Sequence, residues 1–368
     1  MNSQKIKVIG MMSGTSIDGL DIAYCEFWQE KKIWHFELIK SGSYAYETEL
    51  HQILQRVTEL SALDLILLDR RLGWWFGEKV KDFIDTNDLE PELIASHGHT
   101  VFHQPEKGLT FQIGSGLNMM LSTGVTVIND FRIQDLAIGG QGAPLVPIGD
   151  KLLFHEYDAC LNLGGFANIS ADAGNPKQRI AYDICAVNTV MNYLAGKVGQ
   201  PYDAGGQMAA QGQLVNEWLN ELNQIQFYQQ PYPKSLGIEW VNETIIPSLE
   251  QKYLTTYSIP DLLQTYVQHI SGLLSSEIKN IFTEEGIQNP KILVTGGGAF
   301  NEYLIKTTRT KLGDRYHLVV PEKSLIENKE AIVFALLGLL KLKGEVNILS
   351  SVTGASHDHS AGVIYHPN

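Results

Sequence analysis

The sequence predicts an α/β protein made of two related lobes, and three observations carry that prediction. Strand-like apolar runs alternate with helix-length patterns over 368 residues, a length suited to two cores of roughly 150–200 residues each. Residues 5–39 read as three consecutive strands before any helix. The same opening returns at residue 159, with LNLGGFANIS, a polar turn, RIAYDIC and then helices. No solenoid-period repeat and no low-complexity linker separates the halves.

In chain order the strands are IKVIGMM, LDIAYCEF, WHFELIKSG, ELIASHG, LTFQIG, VTVIND, ACLNLGGFANIS, RIAYDIC, KILVTGGG and YHLVVP. Each is a short apolar or β-branched run bounded by glycine or polar residues. Helix-length patterns fall at 47–59, 61–86, 116–123, 186–198, 207–224, 260–283, 301–312 and 328–343. In DLLQTYVQHISGLLSSEIKNIF the apolar residues recur at three-to-four spacing, the mark of an amphipathic helix. Lobe logic places the first lobe at 1–130 plus 345–368 and the second at 131–344. A ligand cleft is expected between them.

Composition narrows the function classes. Hydrophobic residues make up 44% and charged residues 19%, as in a globular protein. The net charge of −13, with no dense Lys/Arg run, argues against nucleic acid or an anionic membrane as partner. MNSQKIKVIGMMSG reads as a first strand rather than a signal peptide, and no run approaches about 18 consecutive apolar residues. Cys25, Cys160 and Cys185 are scattered and fit a reduced, cytoplasmic setting.

Chemistry concentrates in a few stretches. Between the first two strands lie Ser13, Gly14, Thr15, Ser16, Asp18, Gly19 and Asp21. Glycines let backbone approach a ligand, turn N–H groups and hydroxyls form an anion nest, and Asp18 suits a hydrated Mg²⁺. The same residues also compose an ordinary turn. Gly296, Gly297 and Gly298 end a strand before a helix, where nucleotide can lie against backbone; glycine triplets are also plain tight turns. Asp183 lies at a strand end before a helix, placed either as a general base or as a helix-start carboxylate. In SHGHTVFHQP, His97, His99 and His103 read as a polar ligand-lining loop in preference to a metal site, since no carboxylate or cysteine partner is near. Asp130, Arg132 and Asp135 precede GGQGAP; Arg132 is either a fork for a substrate carboxylate or phosphate, or a surface residue paired with those aspartates.

Two glycine-bearing hairpins facing one cleft is how the actin, hexokinase and acetate-kinase class holds a nucleotide. In order along the chain, MSGTSIDGLD, SHGHTVFH, DFRIQDLAIGGQGAPLVP, LNLGGFANIS, YDAGGQMAAQG, PKSLGIE, TGGGAFN, KEAIVFALL and SVTGAS resemble segments of the anhydro-N-acetylmuramic acid kinases of bacterial cell-wall recycling. The resemblance covers essentially the whole chain. It implies two actin-like (ribonuclease H-like) lobes, a homodimer, and an ATP- and Mg²⁺-dependent reaction that opens the 1,6-anhydro bridge and phosphorylates O6. It further implies Asp183 as the base that activates water, the 13–19 hairpin and 296–298 as nucleotide contacts, and Glu330 as a substrate contact. Arg132 falls to the lactyl carboxylate.

The chain also departs from that pattern. After Asp183, the family's x-Gly-Pro-Gly-Asn is replaced by Ile184, Cys185, Ala186, Val187 and Asn188, which places Cβ atoms where a turn would bring backbone to a ligand. Lys-Ser-Thr-Gly-Arg-Glu becomes Lys234 to Glu239 with Ile238 in place of arginine, and Gln-Ile-Gly-Asp ends in Ser115. A kinase of another anhydro or amino sugar, or an ATP- or sugar-binding protein without turnover, are the other readings.

Overall fold

The computed structural model describes residues 4–14, 17–174 and 176–367. Thr15 and Ser16, two of the hairpin residues singled out above, lie outside them.

The strands are β1 Ile6–Ser13, β2 Leu20–Glu30, β3 Ile33–Tyr44, β4 Leu93–Gln104, β5 Leu109–Ile113, β6 Val127–Asn129, β7 Ala159–Leu163, β8 Phe166–Ala173, β9 Gln178–Ala186, β10 Lys291–Thr295, β11 His317–Val319 and β12 Val363–Tyr365. The first helices are α1 Thr48–Leu54, α2 Ala62–Asn87, α3 Gly116–Thr123, α4 Ile133–Ala137, α5 Val146–Leu153, α6 Asn188–Gly196 and α7 Gln207–Gln211. They are followed by α8 Asn216–Asn223, α9 Ile238–Thr244, α10 Ile246–Ser248, α11 Ile259–Glu284, α12 Glu302–Leu312, α13 Lys323–Leu342 and α14 Ser350–Thr353. No described helix is long and apolar enough to cross a membrane.

Two compact units result, 1–153 with 328–368, and 154–327. Each has its own sheet, and the two sheets share one topology. In the first, the order β3-β2-β1-β4-β6 continues to β12, with β5 paired to β4. In the second it is β9-β8-β7-β10-β11. Each begins with an antiparallel meander whose first strand then pairs in parallel with a strand that follows a helical crossover. This repeated 3-2-1-4-5 order bears out the two related lobes read from the hairpin openings, and it is the ribonuclease H-like arrangement that the family resemblance implies.

The central strand β1 is apolar on both faces, as a strand covered on both sides must be. β3 is exposed along much of its length and carries Lys40 and Glu37, which suits an edge. Long helices begin where the sequence offers a cap. Ser61 accepts from Asp64 N–H ahead of α2, and Ser258 accepts from Asp261 N–H ahead of α11. The α11 stripe of Leu263, Tyr266, Val267, Ile270, Leu274 and Ile278 is buried in the core of the second unit.

The unit edges differ from those expected at 130 and 345. Residues 131–153 and 328–344 belong with the first unit, not the second. The reason is α13. From Ala331 to Leu340 its apolar residues are buried all round, which marks an internal helix. Its backbone meets the first sheet through glycine: a Cβ on Gly10 of β1 would overlap Ala331 O, and one on Gly338 would lie 2.5 Å from Ala95 Cβ. The C-terminal β12 then pairs with β6. Gly10→Ala is therefore expected to destabilise the first unit by roughly 2–3 kcal/mol, because backbone must move to admit one methyl group. Thermal unfolding of the variant measures this, and an unchanged Tm would show that α13 is not held so close.

Candidate active site

In the first unit, the turn after β1 opens with Ser13 and Gly14 and closes with Asp18 and Gly19. Ile17 N–H donates to Gly14 O at 3.2 Å. Gly19 has φ +152°, and a Cβ there would collide with Tyr44 O, so this glycine is required by the close passage of β3. Asp18 is exposed, whereas Ser13 is buried with its hydroxyl already engaged. Ser13 Oγ lies 2.5 Å from Tyr46 OH and 2.9 Å from His99 Nδ1. The side chain expected as a phosphate donor is thus tied into a three-residue network. Tyr46 and His99 were not evident as its partners from sequence.

Three predicted substrate residues of this unit come together. Arg132 donates to His97 Nε2 from Nε at 3.2 Å and from Nη2 at 2.9 Å, and Nη1 donates to Gly142 O at 2.7 Å. His97 Nδ1 in turn donates to Gly98 O at 2.9 Å, so the imidazole is neutral with Nε2 as acceptor. Burial and the adjoining guanidinium push the His97 pKa down to about 3. Burial lowers Arg132 to about 10, opposed by the negative charge of Glu330. Glu330 is itself open to solvent, but the protein packed around it still desolvates its carboxyl and raises it, held back by Lys329 and Arg132 and raised further by Asp21. Asp21, Arg132 and Glu330 therefore share one electrostatic neighbourhood. Lys329 pairs with buried Asp150 at 2.7 Å.

Arg132 is not paired with the aspartates beside it in sequence. Asp135 is fully buried and instead accepts from Gly142 N–H at 2.7 Å and from Thr353 Oγ1 at 2.8 Å, which fixes the GGQGAP loop that carries the Arg132 acceptor. His103 Nδ1 lies 3.3 Å from Thr110 Oγ1. Among the described residues no three His, Cys, Asp or Glu side chains gather as a metal site. Ser115, where the family pattern has aspartate, is the N-cap of α3 and accepts from Asn118 N–H. Serine and aspartate cap equally well, so this departure preserves a helix start.

In the second unit, Asp183 lies within β9, three residues before the strand ends. Leu236 N–H donates to its Oδ2 at 2.8 Å, and its own N–H donates to Lys234 O at 3.0 Å. Among the described residues Oδ1 has no hydrogen-bond partner. Burial raises the Asp183 pKa and the Leu236 hydrogen bond partly offsets that. The expected turn at 184–187 is absent. Ile184, Cys185 and Ala186 continue the strand with buried side chains, and Ile184 is the extra residue of a bulge between the Asn168–Asp183 and Ala167–Cys185 pairs. The Cβ atoms at these positions fill core rather than crowding a ligand-facing turn.

The glycine triplet packs on the end of β7. Cβ atoms on Gly296 and Gly298 would meet Leu163 backbone at 2.7 and 2.9 Å, so the fold itself excludes side chains there. Gly297 is exposed with no such conflict, and Asn188 Nδ2 is its nearest neighbour. The triplet runs into a 3₁₀ turn, Gly297–Phe300, ahead of α12, whose N-cap Asn301 accepts from Leu304 N–H at 2.9 Å.

Three buried imidazoles make acid stability testable. Burial depresses His97 to about 3, His99 to about 4 and His269 to about 3. All lie below the ordinary 6.5, so as pH falls the unfolded chain takes up protons first. Stability is then lost from about pH 6.5 down toward the folded values, at roughly 2 kcal/mol per histidine by pH 5. The raised carboxyl of Asp183 acts in the opposite sense, in the window between its ordinary value and its higher folded one. Tm should fall between pH 7 and 5, less steeply in His269→Gln; a flat profile would contradict the burial of these rings.

The sequence comparisons agree along the whole chain. The family model described as anhydro-N-acetylmuramic acid kinase matches residues 6–367. A protein of that name from Vibrio cholerae serotype O1 is 35% identical over 375 residues, covering 98% of each chain. Its namesake from Sulfurimonas denitrificans is 32% identical, covering 97% of this chain and 98% of that one. The Aliivibrio fischeri protein of the same name is also 32% identical, covering 98% of this chain and all of the other. By that full-length match, the chain belongs to the anhydro-N-acetylmuramic acid kinase family.

Proposed function

We propose that this protein is a sugar kinase that opens 1,6-anhydro-N-acetylmuramic acid with water and phosphorylates O6, giving N-acetylmuramic acid 6-phosphate in peptidoglycan recycling. Family membership supports the substrate and the reaction. The observation that carries the chemical step is Asp183, with one oxygen held by a main-chain N–H and the other open. A carboxylate whose proton affinity is raised by burial is a better general base than a solvated one.

In this reading Asp183 takes a proton from water as the water oxygen bonds to C1. The C1–O6 bond breaks, O6 bonds to the γ-phosphorus of ATP, and ADP leaves. Arg132 has the fork geometry for the lactyl carboxylate, with its position set by His97 and Gly142. Glu330, which shares the electrostatic neighbourhood of Arg132 and Asp21, would accept from sugar hydroxyls. The turn at 13–19 and Gly297 serve the nucleotide phosphates through backbone N–H groups. Asp18, an exposed hard-oxygen donor, suits Mg²⁺, which when bound would neutralise phosphate charge. A cytoplasmic location follows from ATP as co-substrate, and a homodimer is part of the proposal, open to measurement by sedimentation.

Incubation with Mg-ATP and the anhydro sugar should yield ADP and the 6-phosphate in equal amounts. Nucleotide binding without product would instead favour a binding protein lacking turnover.

A further inference from the structure

The base is held by a stretch of chain that lacks regular secondary structure. Residues 232–236 lie alongside β9, and their main chain grips Asp183 at two points, through Lys234 O and Leu236 N–H. No ladder of strand or helix fixes such a segment, so side chains must anchor it.

Those anchors converge on Glu277 of α11. Lys234 Nζ lies 3.3 Å from Glu277 Oε1, with the lysine side chain almost wholly buried. Tyr182, the residue before the base, donates from its hydroxyl to Glu277 Oε2 at 3.0 Å. Tyr232 stacks on Tyr182 with centroids 5.2 Å apart and planes at 12°. The lysine ammonium also faces the rings of Phe227 and Tyr182 at 5.3 and 5.8 Å. One carboxylate thus ties the strand that carries the base to the segment that grips it. A buried ion pair is seldom more stabilising than an apolar pair of equal volume. Stability alone therefore does not account for this one, whereas fixing a position does.

We propose that Lys234 and Glu277 are positioning residues for Asp183, holding the 232–236 segment so that its main chain sets the orientation of the catalytic carboxylate. This rests on the reading of Asp183 as the base. Loosening the grip removes a hydrogen bond to the charged carboxylate, which raises its pKa as well as misplacing it.

The test compares Lys234→Met, Lys234→Arg, Glu277→Gln and Asp183→Asn with the wild-type enzyme, using Mg-ATP and the anhydro sugar. Lys234→Met and Glu277→Gln should lower kcat by about tenfold or more. KM for both substrates should stay within about twofold, and the acid limb of the pH–kcat profile should move to higher pH. Lys234→Arg, which keeps the charge, should return that limb toward the wild-type position. Should Lys234→Met fail to fold, Lys234→Met/Glu277→Leu leaves no unpaired buried charge and carries the same readouts. Wild-type turnover in Asp183→Asn would remove the base reading and this proposal with it. An inactive Asp183→Asn alongside lysine variants with an unshifted acid limb would overturn the positioning role alone.

Discussion

Asp183→Asn is expected to lower kcat by about 10²–10⁴-fold, the range a positioned general base contributes. The asparagine carbonyl can still accept from Leu236 N–H, so the segment at 232–236 should stay in place and Tm should change little. What is lost is the open oxygen, replaced by an amide nitrogen that cannot take a proton from water. KM for ATP should be nearly unchanged, since the substitution removes an interaction made in the transition state rather than one that binds nucleotide. In the wild-type protein, rate should fall with acid above the ordinary aspartate range, because burial raises this carboxyl. A variant with near-normal kcat would assign the proton transfer elsewhere.

Arg132→Met is expected to raise KM for the anhydro sugar by about 10–100-fold, the worth of charge-assisted hydrogen bonds to a carboxylate. The comparison that matters is with an analogue lacking the lactyl carboxylate. The wild-type enzyme should bind that analogue weakly, and the variant should lose almost nothing further on it. Equal losses on both sugars would show that Arg132 only supports the 129–147 loop through His97 and Gly142. Arg132→Lys should recover little, because an ammonium cannot donate to His97 Nε2 and a carboxylate with the same planar fork.

The fold was legible in the sequence where local pattern decides it. Apolar runs marked the strands, three-to-four spacing marked α11, and the second hairpin opening revealed the duplicated topology. No helix was expected in glycine-rich DLAIGGQGAPLVP, and the short helices α4 and α5 that overlap its two ends escaped notice because tertiary contacts hold them. The unit boundaries were misplaced for a related reason. That α13 belongs to the first sheet depends on Gly10 and Ala95, far away in sequence, and no periodicity within 323–342 reports them.

The candidate site divides in the same way. Asp183 and Arg132 stood out by residue type and neighbours. Gly19, Gly296 and Gly298 stood out too, and the structure gives each a packing reason that by itself accounts for glycine there. Pairings between distant residues were silent: Glu277, which meets Tyr182, sits on an ordinary amphipathic helix, and Tyr46 and His99 meet Ser13 from 33 and 86 positions away. The departures after Asp183 changed meaning altogether. Ile184 to Ala186 are strand and core, and the chain grips Asp183 from the 232–236 segment instead.

The central claim, that Asp183 drives water onto C1 while O6 receives the phosphoryl group, is tested most directly by turnover in H₂¹⁸O. One labelled oxygen should appear on the C1 hydroxyl of N-acetylmuramic acid 6-phosphate, with none in the phosphate and one ADP formed per sugar. Label in inorganic phosphate without labelled sugar would show ATP hydrolysis in place of the coupled reaction, and would contradict the account.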